Sequence, residues 1–262
     1  MRMEIRHPAC QLHPPAIQAV LARSLLEAGV PLAMSLEKSP RPMVHLGHPL
    51  PLGVEGLSEW ADVTLRSPSP IPLSQLPAHL QPHLEPGLKI LEIFEIPNIS
   101  SPVRELCHRA HWRWTCPDTL QERAHERFAE FEAADSYTIE KTGKIDGRKQ
   151  IKQVEVRSFV VSMGWEGMTL CFSTRVSSGE ALNPVKLLAG ILGMEPSGLL
   201  GLCRDRVDLC EDPRLDDAGR YETKLHNIYE DAVLLEGGPS LQVLEEEDDE
   251  PILLHKNQPR QK

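Results

Sequence analysis

At 262 residues the chain is long enough for one large domain or two small ones with a proper core, and its balance of apolar and charged residues is that of an ordinary globular protein. The formal charge of −10 argues against a diffuse electrostatic grip on nucleic acid, and no DNA partner is expected. Six of those negatives lie in EEEDDE, Glu245 to Glu250, so the remainder is only mildly acidic and a local contact with RNA stays open.

The cysteines at 10, 107, 116, 171, 203 and 210 are scattered singly. Without a CxxC pair or a three-cysteine cluster they point to buried reduced thiols. A disulfide framework, a zinc site and an iron–sulfur cluster all lack support. The opening MRMEIRHPACQLHPP has no apolar signal core, and no apolar run approaches the length of a membrane span. The expectation is a cytoplasmic protein.

In chain order, MEIRHPACQL alternates weakly and reads as a short strand. AIQAVLARSLLEAG carries Ile17, Val20, Leu21, Leu25 and Ala28 on one helical face, with Pro14-Pro15 in its first turn and Gly29 as its stop. MVHLGHPLPL reads as a strand broken at Gly47 and Pro49. EWADVTLRS alternates Ala61, Val63 and Leu65 against Trp60, Asp62 and Thr64, with GVEGLS as the hairpin connection before it. A short proline-interrupted helix over IPLSQLPAHLQPHL precedes a strand over LKILEIFEIP. This β-α-β-β-α-β order is the split βαβ, or ferredoxin-like, pattern.

The second half repeats that order more loosely. VRELCHRAHWRWTC sets Ala110, Trp112 and Trp114 against Arg109, His111 and Arg113. LQERAHERFAEFEAA is an amphipathic helix, followed by three strands over SYTIEKTG, KQIKQVEVRSFVVSMGW and GMTLCFSTRV, with turns at GKIDGRK and WEG. Asn183 caps a compact helix with Pro184 in its first turn, and CRDRVDLCED closes as a strand. The fold class expected is α+β: two tandem ferredoxin-like units with antiparallel sheets, residues 1–98 and 99–213. Residues 214–262 form an extension that ends in a charged, disordered tail.

The candidate chemistry is sparse. His45 and His48 are three apart on a strand and so face opposite ways. His79 and His83 have helical i, i+4 spacing, but Pro82 and the lack of a companion glutamate count against a metal. Cys107 with His111 is too small a ligand set. No GxSxG, GxGxxG or GxxxxGK occurs. Polar groups on rigid elements remain: Ser35, Arg41, His48, Glu59 and Asp62 in the first half and Arg157 in the second. An inward-facing arginine such as Arg157 needs a carboxylate partner, for which Asp62 is a candidate.

From Ser35 on, through PRPMVHLGHPLPLGVEGLSEWADVTL, the chain resembles the bacterial radical SAM-linked protein family. This is a domain of unknown function, fused to a radical SAM enzyme or encoded beside one. The residues that carry the resemblance are Ser35, Pro40, Pro42, Pro49, Leu50, Pro51, Gly53, Glu59 and Asp62, preceded by His13, Ala28, Gly29 and Pro31. VEVRSFVVSM with Arg157, NPVKLLAGILGME and CRDRVDL resemble later family segments, so the likeness spans Met3 to Cys210. Glu37, Lys38 and Ser39, Pro14-Pro15, Ser158 and Asn183 depart from the family pattern.

The resemblance implies a non-catalytic accessory or substrate-presenting partner of a separately encoded radical SAM enzyme. That enzyme would carry the iron–sulfur cluster and S-adenosylmethionine, and this chain would need no cofactor or metal of its own. His13, Ser35, Arg41, His48, Glu59, Asp62 and Arg157 form the candidate binding rim, with no catalytic residue assigned. Two alternatives stand beside it. One is an RNA-binding module using Trp112, Trp114, Arg109 and Arg113; the other is a stand-alone enzyme using Asp62, His48 and Arg157.

Overall fold

The computed structural model describes residues 1–97, 100–145, 148–176 and 182–211. Met1–Leu215 forms one compact unit, and the second, Asp216–Lys262, lies outside the described residues with the expected tail.

The chain is mixed α/β, with a mostly antiparallel sheet. Strand β1 (Arg2–Ile5) leads into α1 (Pro14–Glu27), then β2 (Val44–Leu46), β3 (Glu55–Val63), α2 (Leu76–Leu80) and β4 (Leu88–Glu92). The second half runs α3 (Val103–Leu106), β5 (Cys107–Thr115), α4 (Gln121–Ala133), β6 (Thr138–Ile145), β7 (Arg148–Glu155), β8 (Val160–Glu166), β9 (Thr169–Arg175), α5 (Pro184–Leu192) and β10 (Leu202–Leu209). The sheet order is β4-β1-β3-β10-β5-β9-β8, with β2 also on β3, while β6 and β7 pair only with each other. Among the described residues, all strand pairings are antiparallel except β3 with β10, the parallel seam that joins the two halves.

Helix α1 forms where the apolar spacing predicts it. Ile17, Leu21, Leu25 and Ala28 are buried, and Gly29, at φ 78°, ends the helix in a conformation that favours glycine. Helix α5 starts on the Asn183 side chain, which accepts from the Val185 and Lys186 amides at 3.0 and 3.3 Å. Replacing Asn183 by alanine is expected to cost about 1 kcal/mol in denaturant titrations, the usual worth of such a cap.

Four expectations are corrected. The segment GVEGLS is not the hairpin connection: Glu55 onward already belongs to β3. Strand β4 ends at Glu92, because its ladder with β1 ends at the Arg2–Glu92 pair. The single strand expected over KQIKQVEVRSFVVSMGW is two, β7 and β8. The Glu155 carboxylate draws in the amides of Arg157 (2.7 Å) and Ser158 (3.3 Å) and the Ser158 hydroxyl (2.6 Å). That turns the chain through a 3-10 loop at Arg157–Phe159 and places Arg157 in a turn instead of a strand. The GKIDGRK turn falls partly on residues 146–147, outside the described residues.

The core lies on one side of the sheet. Trp112 and Trp114 are buried, with Trp114 and Phe128 of α4 in ring contact, centroids 6.4 Å apart. Met3, Ile5 and Ala61 are buried in the same apolar cluster as Ile17 and Leu21 of α1. The β5 alternation holds as expected, which leaves Arg109, His111 and Arg113 on the opposite face, half-buried or exposed.

Candidate functional site

The parallel pairing of β3 and β10 is short, covering only Glu55 and Gly56 against Cys203 and Arg204. Farther along the same edge of β3, β2 takes over at Ala61–Val63. Between the two, the corner Gly47-His48-Pro49 crosses the seam, where its carbonyls have no strand to pair with. Arg204 fills that gap.

Its guanidinium is fully buried. Nε donates to Glu59 Oε1 at 2.9 Å, and Nη2 donates to Glu59 Oε2 and to the His48 carbonyl, the latter at 2.8 Å. Nη1 donates to His48 Nδ1 at 3.1 Å and to the Pro49 carbonyl at 3.3 Å. The plane sits over the Trp112 ring, with Cζ 5.2 Å from the centroid. Each of the three guanidinium nitrogens is thus engaged and the charge is met by one carboxylate, the arrangement a buried arginine requires.

Because Nη1 donates to it, Nδ1 of His48 is an acceptor, and the ring is neutral with its proton on Nε2. Burial, followed by the neighbouring charges of Arg204 and Arg104, pushes the His48 pKa down to about 4. Cys107 lies beneath the same corner, its thiol donating to the Val103 carbonyl at 3.2 Å and held above the usual thiol range by burial. A cavity of about 10 Å³ opens beside the cluster, lined by His48, Glu59, Met3, Ile17 and Trp60 among others. That is room for roughly one water molecule.

Small residues make the cluster possible. A Cβ on Gly47 would stand 3.2 Å from the Trp60 carbonyl oxygen, and one on Gly56 would stand 2.7 Å from Glu59 Cδ. Glu59 cannot swing aside without releasing Arg204. Gly56→Ala is therefore expected to cost about 2 kcal/mol in a urea titration, as overpacking of a fixed neighbour does, and to leave the denaturant slope unchanged.

The predicted residues divide. His48 and Glu59 meet on Arg204. Ser35 and Arg41 meet each other across a loop: the Ser35 amide donates to the Arg41 carbonyl at 2.8 Å, and the Arg41 amide donates to Ser35 Oγ at 3.0 Å. Asp62 accepts from the Val103 amide at 2.6 Å, tying β3 to α3. His13 stands exposed at the start of α1, where its carbonyl accepts from Ala16 and Ile17. Arg157 lies over the Phe131 ring, Cζ 5.5 Å from its centroid, and donates to the Val160 carbonyl at 3.4 Å. Asp62, His48 and Arg157 share no hydrogen-bond partner among these contacts. The inward-facing arginine that needs a carboxylate is Arg204, paired with Glu59, and not Arg157 with Asp62. Trp112 and Trp114 donate to Thr174 Oγ1 and the Leu200 carbonyl from inside the core, so neither ring is available for a base to stack on.

Residues 16–184 match the bacterial family described as "Uncharacterized protein conserved in bacteria (DUF2344)". The chain belongs to that family. The match includes His48, Glu59, Asp62 and Arg157 but ends before Arg204. A comparison with curated proteins finds no match. Among the described residues, no three His, Cys, Asp or Glu side chains converge as a metal-ligand set, and no helix is long and apolar enough to cross a membrane.

Proposed function

We propose that this member of the family is a non-catalytic accessory or substrate-presenting module for a separately encoded radical SAM enzyme in the cytoplasm, with the iron–sulfur cluster and S-adenosylmethionine carried by that partner. One observation carries the reading. The polar side chains that the proline corner offers for chemistry are spent internally, His48 and Glu59 on Arg204, whose nitrogens are all engaged. Such a cluster stiffens a platform. The resemblance of the Ser35–Leu65 stretch to radical SAM-linked proteins names the enzyme class.

The architecture behind this reading is two ferredoxin-like units in tandem. Its support is the shared connectivity: β4-β1-β3-β2 in the first half and β10-β5-β9-β8 in the second, with β6–β7 as an inserted hairpin. The test is anaerobic co-purification of the full chain with the radical SAM enzyme encoded beside it. A stable complex is the expected result; failure to associate with the cluster-loaded enzyme overturns the reading.

The alternative, RNA binding, draws on one feature, the half-buried and exposed arginines of β5, β9 and β10. It requires backbone contacts alone, because the tryptophans point inward.

A further inference from the structure

The face of β10-β5-β9-β8 opposite to Trp112 and Trp114 carries charges. Arg113 pairs with Asp205, and Arg206 donates to Asp208 Oδ1 at 2.9 Å. His111 Nε2 lies 2.6 Å from Asp208 Oδ2. These groups satisfy one another. Arg109 stands opposite Asp208 on β10 and opposite Arg175 on β9, but the two Asp208 oxygens are already held by His111 and Arg206. Arg109 is half-buried and Arg175 exposed, and neither forms an ion pair among the described residues. Like charges directly opposed on a sheet destabilise it, and the chain has acidic residues in excess. Solubility gives no reason for two opposed arginines that form no ion pair among the described residues. A bridging anion does.

We infer that the Arg109–Arg175 pair is the anchor of a docking surface for an acidic protein segment, each guanidinium taking a carboxylate of the partner. This deepens the accessory-module reading by naming the surface and the partner's chemistry. Charge pattern selects the occupant. Two planar forks side by side suit two carboxylates in bidentate geometry. Asp205 and Asp208 interrupt the arginine rows, so a continuous phosphate backbone laid along them would cross carboxylates of like charge, whereas a protein segment need place only two carboxylates, one on Arg109 and one on Arg175. The face also lacks the two nearest tryptophans as stacking platforms, since both are turned into the core.

The test uses the full chain and two probes, fluorescein-labelled hexaglutamate and a labelled twelve-nucleotide oligouridylate, followed by anisotropy at low salt. Wild type is compared with Arg109→Gln/Arg175→Gln and with Arg66→Gln, an arginine on another part of the surface. The expected result is hexaglutamate binding that weakens at least tenfold in the double variant, stays within twofold in Arg66→Gln, and disappears at high salt. The thermal midpoint of the double variant should not fall, because removing opposed like charges relieves repulsion. Absence of hexaglutamate binding, or binding indifferent to the double substitution, overturns the inference. Oligouridylate binding that is tighter than hexaglutamate binding and lost in the double variant assigns the pair to nucleic acid and equally overturns it. Co-purification with the radical SAM enzyme is a separate readout, so a failed complex beside intact hexaglutamate binding removes the enzyme class and leaves the surface.

Discussion

Arg204→Met is expected to destabilise the protein by about 3–5 kcal/mol, the loss that follows when one partner of a buried ion pair is removed. The substitution preserves much of the side-chain volume, so packing is a minor part of the effect. It leaves the Glu59 carboxylate buried without a cation, and it strips the His48 and Pro49 carbonyls of the donors that replace a missing strand. Lysine is expected to rescue little: its single ammonium cannot span the carboxylate, both carbonyls and the His48 ring together. The decisive comparison is a double-mutant cycle in urea with Glu59→Leu. Arg204→Met/Glu59→Leu should be more stable than Arg204→Met alone, because the orphaned charge is gone. A loss below about 1 kcal/mol for Arg204→Met would place the pair among weak surface contacts and remove its role as the seam clamp.

That clamp marks the limit of what local pattern reveals. Helix α1, the alternation of β5 and the Asn183 cap were readable because each depends on neighbours a few positions away, where side-chain period and backbone capping act directly. Glu59 was half readable. It has the parity of Ala61 on the buried side of β3, and a carboxylate there demands a cation. The cation is 145 positions away and reaches Glu59 only because β10 returns parallel to β3, a pairing that leaves no local trace. Arg204 was legible at most as a charged residue between apolar Leu202 and Val207, a pattern that Arg157 between Val156 and Phe159 mimics. What separates the two is Glu155, which folds its side chain back on the next amides and ends the strand before Arg157. Of the buried cluster, His48 and Glu59 were therefore named from the sequence, and Arg204, the residue that organises them, was not.

The same cluster sets the response to acid. His48 is held neutral in the fold with a pKa of about 4, against an ordinary value near 6.5, so the unfolded chain binds a proton that the native chain refuses. The sign follows: the stabilisation is fully present above about pH 6.5 and is lost as pH falls from there through 4. At about 1.4 kcal/mol per pKa unit, the total is about 3 kcal/mol. The physical cause is direct, since a protonated ring would set its own N–H against the Arg204 Nη1 donor and a second positive charge against the guanidinium. His48→Asn offers a neutral side chain without a titrating group in this range. It is expected to be less stable than wild type at pH 7.5 and to show a flatter dependence between pH 6.5 and about 5, before the loss from carboxylates held below their ordinary values, such as Asp208 and Glu155, sets in. Urea midpoints collected at half-unit intervals give the two slopes. If wild type and His48→Asn run parallel through that window, the ring is not buried against Arg204, and the geometry of the seam is wrong at its centre.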